Sequence, residues 1–174
     1  FQHGFRSKHS CETQLLLTVH DIASIHDSNT QVDIGILDFS KAFDVVPHQR
    51  LLNKLEHYGI DGKTHKWIGS FLSGRSQKVM VDGHMSSSSP VSSGVPQGTV
   101  LGPLLFLLFI NDLPHLASQN TRIRLFADDC LIYRPIYDVH DQVTLQHDID
   151  KLMEWADRWG MSFNASKCNV MRTL

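Results

Sequence analysis

Arg122-Ile123-Arg124-Leu125-Phe126-Ala127-Asp128-Asp129-Cys130-Leu131-Ile132-Tyr133 reads as two short strands, Arg122 to Phe126 and Cys130 to Tyr133, flanking a tight turn. Two adjacent carboxylates stand at the hairpin tip. Like charges that close repel, and successive side chains on a strand point to opposite faces. Both therefore serve one site only if cations neutralise the cluster or the turn reorients them.

Further upstream, Val32, Ile34 and Ile36 alternate with other residues at period two, predicting a strand with one buried face that ends in Asp38. Asp38 is thus a candidate third ligand. Carboxylate oxygens without His or Cys suit Mg²⁺, with Mn²⁺ the alternative, and such ions keep waters and take further ligands from substrate phosphates. That chemistry is phosphoryl transfer, in which two ions about 3.5 to 4 Å apart serve the attacking and the leaving oxygen. Taken alone, an Asp-Asp pair in a turn is more often solvated turn chemistry than a metal site.

The rest of the chain supplies helices around these strands. Ser10 caps a helix expected to bury Leu15, Val19, Ile22 and Ala23 and to end near Asp27-Ser28-Asn29. Leu51, Leu52, Leu55 and Tyr58 suit a helix stopped by Gly59, and Trp67, Ile68, Phe71 and Leu72 a second one stopped near Gly74. Gln77 to Val81 reads as a short strand, followed by the turn Asp82-Gly83 and the loop Ser86 to Pro90. Pro103 opens a buried helix running to about Asp112, ended by Pro114. Leu145, Ile149, Leu152, Ala156 and Trp159 stripe a long helix with Gly160 past its end and a strand near Val170. Strands mixed with helices in this order predict an α+β fold.

Composition sets outer limits. The 174 residues are 41% hydrophobic, enough for a real core. With 16 Lys+Arg against 18 Asp+Glu the net charge is -2, whereas an autonomous nucleic-acid binder is clearly basic. Cys11, Cys130 and Cys168 are too widely spaced for a disulfide framework or a paired-cysteine zinc site. The run Leu101 to Ile110, broken by Gly102 and Pro103, is well short of the ~20 residues of a spanning helix, so no membrane role is expected.

Three blocks give the carboxylates a context. Leu37-Asp38-Phe39-Ser40-Lys41-Ala42-Phe43-Asp44-Val45-Val46-Pro47-His48 resembles the first catalytic motif of non-LTR (LINE-type) retrotransposon reverse transcriptases. Ser93-Gly94-Val95-Pro96-Gln97-Gly98-Thr99 through Phe106, then Ile110-Asn111-Asp112-Leu113, resembles the second, and Phe126-Ala127-Asp128-Asp129 the third. Gln2-His3-Gly4-Phe5-Arg6 and Asn164-Ala165-Ser166-Lys167 extend the likeness over nearly the whole chain.

The resemblance implies a right-hand polymerase palm, an antiparallel sheet backed by helices, with partial helical fingers. About 1–30 and 49–92 would be fingers-like, and about 31–48 and 93–174 palm. It assigns Asp38, Asp128 and Asp129 to two Mg²⁺ ions, with Asp129 orienting the primer terminus as the alternative. Lys167 matches a lysine that protonates pyrophosphate, and Phe43 matches a steric gate against the ribonucleotide 2′-hydroxyl. Amides of Phe39, Ser40, Lys41 and Ala42 would cradle the triphosphate. Gln97 and Gly98 would lie by the nucleotide and template, and Arg75 on a nucleic-acid backbone. The implied partners are an RNA template, a DNA primer and deoxynucleoside triphosphates. Further partners are the upstream fingers, with a basic hairpin, and the downstream thumb of a parent polyprotein, which this sequence lacks. The implied setting is the nucleus or cytoplasm of a eukaryotic cell. A silent remnant that only folds or binds a partner is the competing reading. A nucleotide cyclase or RNA-dependent RNA polymerase palm is the third, against which the Phe43 and Gly94 to Gly98 contexts argue.

Overall fold

The strand that ends in Asp38 is covered on both faces: Val32 and Ile34 are buried, and so are Asp33, Gly35 and Leu37. The expectation of a single buried face is thereby corrected. Ile36, placed in the core by the period-two reading, is 40% exposed. The physical reason is that helices lie against both sides of this strand. Ile22 and Ile25 pack with Val32, Ile34 and Tyr133 on one face. On the other, a Cβ at Gly35 would meet Ile132 at 3.0 Å and Ile149 at 3.7 Å.

A computed structural model describes residues 1–173. In chain order the elements are α1 (Cys11–His26), β1 (Gln31–Asp38), α2 (Ala42–Val45), α3 (His48–His57), α4 (Gly62–Leu72), β2 (Ser76–Gln77), β3 (Met80–Val81), β4 (His84–Met85), β5 (Ser89–Pro90) and α5 (Leu101–Ile110). A 3-10 turn (Leu113–Leu116), β6 (Arg122–Phe126), β7 (Asp129–Ile136), α6 (Val139–Trp159) and β8 (Asn169–Thr173) follow. Residues 1–40 with those from 110 onward form one compact unit, and 41–109 another.

The first unit holds a four-stranded antiparallel sheet in the order β6-β7-β1-β8. Its helices begin and end where capping chemistry says they should. Ser10 and Thr13 form a reciprocal capping box at the start of α1. Asp138 caps α6 by accepting from the Asp141 amide, and Gly160 closes it in the left-handed conformation, φ 73°.

One face assignment is reversed. On α1, Leu15 and Val19 are 60% and 54% exposed and Ala23 is exposed, so that of the expected stripe Ile22 alone packs inward, while Thr18 and Asp21 are buried. The Asp21 carboxylate accepts from Arg124 and from the Tyr133 hydroxyl and pairs with Arg122, all on the sheet. That cluster selects the face turned inward, because the largely buried Arg124 guanidinium without an anion would cost more than exposed leucine.

The second unit is built on α3, α4 and α5, with Leu51, Leu55, Ile68, Leu72, Leu105, Phe106 and Phe109 buried in it. Lys54 is buried and donates from Nζ to the Phe109 carbonyl at 2.6 Å, a cation placed on the last turn of α5. That helix stops at Ile110, two residues short of the expected end, and Pro114 belongs to the following 3-10 turn. The expected strand from Gln77 to Val81 is split. Ser76-Gln77 pairs with Ser89-Pro90, whereas Met80-Val81 pairs with His84-Met85 across Asp82-Gly83, both at positive φ (49° and 80°) as a type I′ turn requires.

Candidate active site

Register does the first part of the assembly. In the β1–β7 pair Asp38 stands directly opposite Asp129, and opposed residues of an antiparallel pair share a face. Phe126 pairs with Asp129, which leaves Ala127 and Asp128 as the whole hairpin loop. Ala127 has φ 52°, and it alone of the loop pair is at positive φ, the pattern of a type II′ turn. The three carboxylates named from sequence are therefore gathered at one end of the sheet.

Their electrostatics fit a cation. Partial desolvation, then the Asp128 and Asp38 carboxylates, push the Asp129 carboxyl above its ordinary range, and Lys167 opposes them. Asp38 Oδ1 is buried with no hydrogen-bond partner. A buried carboxylate oxygen left bare costs free energy unless something positive meets it. Among the described residues no three His, Cys, Asp or Glu side chains already converge as a ligand cage. Mg²⁺ does not require one, since it binds through one or two carboxylates and fills its remaining positions with water and phosphate oxygens.

Lys167 arrives by a local route. The Asn164 amide donates to the Asp38 carbonyl at 2.8 Å, and the turn that follows is closed by Lys167 N–H to Asn164 O at 2.9 Å. Nζ then lies 3.3 Å from Asp38 Oδ2, on a side chain 62% exposed. Beneath the site Cys130 is buried, and burial pushes its thiol up to about 12, so it stays protonated.

Residues assigned to nucleotide binding divide between the units. Phe39 is buried, its ring stacked on Phe163 at 4.3 Å, and the Ser40 amide donates to the Ser162 carbonyl at 2.8 Å. That Ser40 N–H is committed inside the fold rather than turned to a phosphate. In the second unit Lys41 has φ 49°, Ala42 is buried, and the Phe43 ring stacks on Phe106 at 4.3 Å.

Gly94 is fixed against α2. Its amide donates to Val46 O, Val95 N–H donates to Phe43 O, and Gly94 has φ 87°. A Cβ there would sit 2.6 Å from the Asp44 carbonyl oxygen, so the close approach admits glycine alone. Beyond it, Gln97 Nε2 donates to Asp44 Oδ1 at 2.8 Å, and Gly98 has φ 74°. Lys41, Asp44, Arg75 and Gln97 are among the residues lining a polar groove of about 600 Å³ within this unit.

With that geometry in hand, the comparison with known proteins decides the family. The family model described as reverse transcriptase (RNA-dependent DNA polymerase) matches residues 1–173. This chain belongs to the reverse transcriptase family. Within it, the likeness to non-LTR retrotransposons is borne out. The RNA-directed DNA polymerases from mobile element jockey of Drosophila melanogaster and Drosophila funebris are 33% and 35% identical over 97% of the chain. The probable RNA-directed DNA polymerase from the Drosophila melanogaster transposon X-element is 35% identical over 97%. The reverse transcriptase chain spans 19% of the length of each of these relatives.

Solved structures agree on the fold. Apo telomerase from Candida tropicalis, truncated from its C-terminal domain, superposes with a TM-score of 0.69 at 13% identity, covering 98% of this chain and 36% of that one. Candida tropicalis telomerase in complex with a fragment of telomeric RNA gives 0.63 at 11% identity, over 90% of this chain and 29% of that one. The expected α+β, palm-like fold is borne out.

Gln2 and Gly4 have no role legible in the sequence. Each touches Ala127, 125 and 123 residues away in the chain. Nothing in the sequence marked them, because the positive φ of Ala127, a non-glycine residue that needs outside support, appears only in the structure.

Proposed function

We propose that this reverse transcriptase chain carries the catalytic centre for RNA-templated DNA synthesis in a larger non-LTR retrotransposon polymerase. Its substrates would be an RNA template, a DNA primer and deoxynucleoside triphosphates. The observation that carries this reading is the Asp38–Asp129 pair at facing strand ends, with Asp128 in the turn between β6 and β7 and Asp38 Oδ1 bare.

In this reading Asp38 and Asp128 hold two Mg²⁺ ions, with Mn²⁺ as a substitute, and Asp129 either completes the ligand set or orients the primer terminus. Such ions, when bound, would help deprotonate the primer 3′-hydroxyl and neutralise the leaving pyrophosphate. Lys167 supplies a proton to that pyrophosphate from an exposed ammonium tethered beside Asp38. Amides of the Phe39–Ala42 segment other than that of Ser40 offer donors to the triphosphate. Phe43 screens the sugar 2′ position, Gln97 and Gly98 border the nucleotide and template, and Arg75 meets a phosphate backbone. The palm would comprise about 31–48 and 93–174, and the fingers-like part about 1–30 and 49–92.

The test is primer extension on an RNA template with the full-length polymerase. Asp128→Asn should abolish extension, and undiminished activity would remove the assignment. Phe43→Ala should leave deoxynucleotide addition within about fivefold of wild type and raise ribonucleotide incorporation by about tenfold or more, a loss of steric rejection worth ~1.4 kcal/mol. An unchanged ratio of the two nucleotides would strip Phe43 of its gate role.

A further inference from the structure

We infer that Gln2 is a positioning residue for polymerisation: its side-chain amide clamps the peptide groups of Ala127 and thereby holds the turn that presents Asp128 and Asp129. This rests on the reading of those aspartates given above.

The geometry is a two-point grip. Gln2 Nε2 donates to the Ala127 carbonyl at 3.1 Å, and Gln2 Oε1 accepts from the Ala127 amide at 2.9 Å. One planar amide thus satisfies both backbone groups of the first loop residue. The clamp is itself held in place. Leu125 N–H donates to Phe1 O and His3 N–H donates to Leu125 O, both at 2.9 Å, so Gln2 lies in parallel register beside Leu125 on β6. Gly4 N–H donates to Gln2 Oε1 at 2.7 Å, fixing the rotamer, and a Cβ at Gly4 would fall 2.3 Å from the Ala127 nitrogen.

The grip falls where the backbone resists. Ala127 is an L-residue with a side chain at φ 52°, a conformation that alanine avoids and glycine takes freely. If Ala127 relaxed to negative φ, the next peptide plane would rotate, and with it the direction of Asp128 and the start of β7. Three carboxylates crowded at that end add no incentive for the turn to stay closed. The bidentate amide opposes both tendencies, and it acts through the backbone of Ala127.

Its effect should therefore appear in the chemical step. In the full-length polymerase, Gln2→Leu is expected to lower kcat for single-nucleotide addition by about tenfold, the equivalent of one or two hydrogen bonds, with KM for the nucleotide within about twofold. The thermal midpoint should fall by no more than about 3 °C. Hydrogen exchange at the Ala127 amide should quicken by about tenfold as its acceptor is lost.

A second substitution separates positioning from plain packing. Adding Ala127→Gly to Gln2→Leu removes the conformational penalty that the clamp opposes, so it should restore most of the lost kcat. Should Gln2→Leu fail to accumulate as folded protein, Gln2→Glu, which keeps the acceptor and loses the donor, is measured instead and should show a smaller loss of the same kind. Unchanged kcat, or kcat that falls only in step with the thermal midpoint and is not recovered by Ala127→Gly, overturns the inference. So does an Ala127 amide that exchanges no faster. A wild type that cannot extend a primer, or an active Asp128→Asn, would bring down the reading of the aspartates and the catalytic half of this inference with it. The exchange rate would still decide whether Gln2 holds the turn.

Discussion

Asp38→Asn in the full-length polymerase is expected to reduce primer extension by about 10³-fold or more, the ~4 kcal/mol that a metal-binding carboxylate contributes to stabilising charge in a phosphoryl-transfer transition state. The same substitution should leave the fold intact or slightly more stable. Asp38 Oδ1 already lacks a partner, and the carboxylates of Asp38 and Asp128 both raise the proton affinity of Asp129. Removing one negative charge relieves that repulsion. What is lost in exchange is the contact to Lys167, whose exposed side chain makes it a weak pair.

This opposition of activity and stability is the informative part of the experiment. A residue kept for structure loses both together when it is replaced. A functional carboxylate held against repulsion loses activity and gains, or at least keeps, stability. Steady-state extension on RNA and a thermal melt without divalent ions, run on the same preparation, measure the two. A variant that melts several degrees lower than wild type and retains extension would refute the assignment of Asp38.

How much of this could be read beforehand depends on whether an element's reason is local. The β6–β7 hairpin was legible because its apolar alternation is written within Arg122 to Tyr133, although its turn is one residue shorter than expected, Asp129 pairing with Phe126 as the first residue of β7. The start of α1 and the end of α6 were legible for the same reason, with Ser10 and Gly160 as local boundaries. The inward face of α1 was not. Two stripes compete on that helix, and the one containing Thr18 and Asp21 wins because Arg122, Arg124 and Tyr133 wait for it more than 100 residues away. Gln77 to Val81 misled in another way, since its residues serve two different hairpins and a period-two pattern cannot show where pairing changes partner. In the site, Asp38, Asp128 and Asp129 carried their chemistry in their residue type and context. Gln2 carried none, because a side-chain amide acquires meaning only from the peptide group it meets.

The largest expected effect on stability comes from that same long-range cluster. Asp21→Asn should lower stability by about 2 to 4 kcal/mol, a fall in thermal midpoint of roughly 5 to 10 °C for a chain of this size. Burial by itself would raise the Asp21 carboxyl, but hydrogen bonds from Tyr133, Arg124 and Arg122 outweigh it and hold the group at about 2, against 3.8 for a free aspartate. A depressed value means that the folded chain prefers the ionised form. The stabilisation is therefore complete above pH 3.8 and is lost as pH falls from there through about 2, and it amounts to at most about 2 kcal/mol after solvent screening. Neutral asparagine costs more than protonation does, because its amide hydrogens are turned toward two guanidinium groups of which Arg124 is largely buried. The Asp33–Arg172 pair provides the control: its Arg172 side chain is 56% exposed, so water replaces the lost anion and Asp33→Asn should melt closer to wild type. Thermal melts of both variants at pH 7 and at pH 3 measure the difference. Equal losses for Asp21→Asn and Asp33→Asn would mean that the α1 cluster is no more than a surface ion pair, and that something other than Asp21 turns this face of the helix to the sheet.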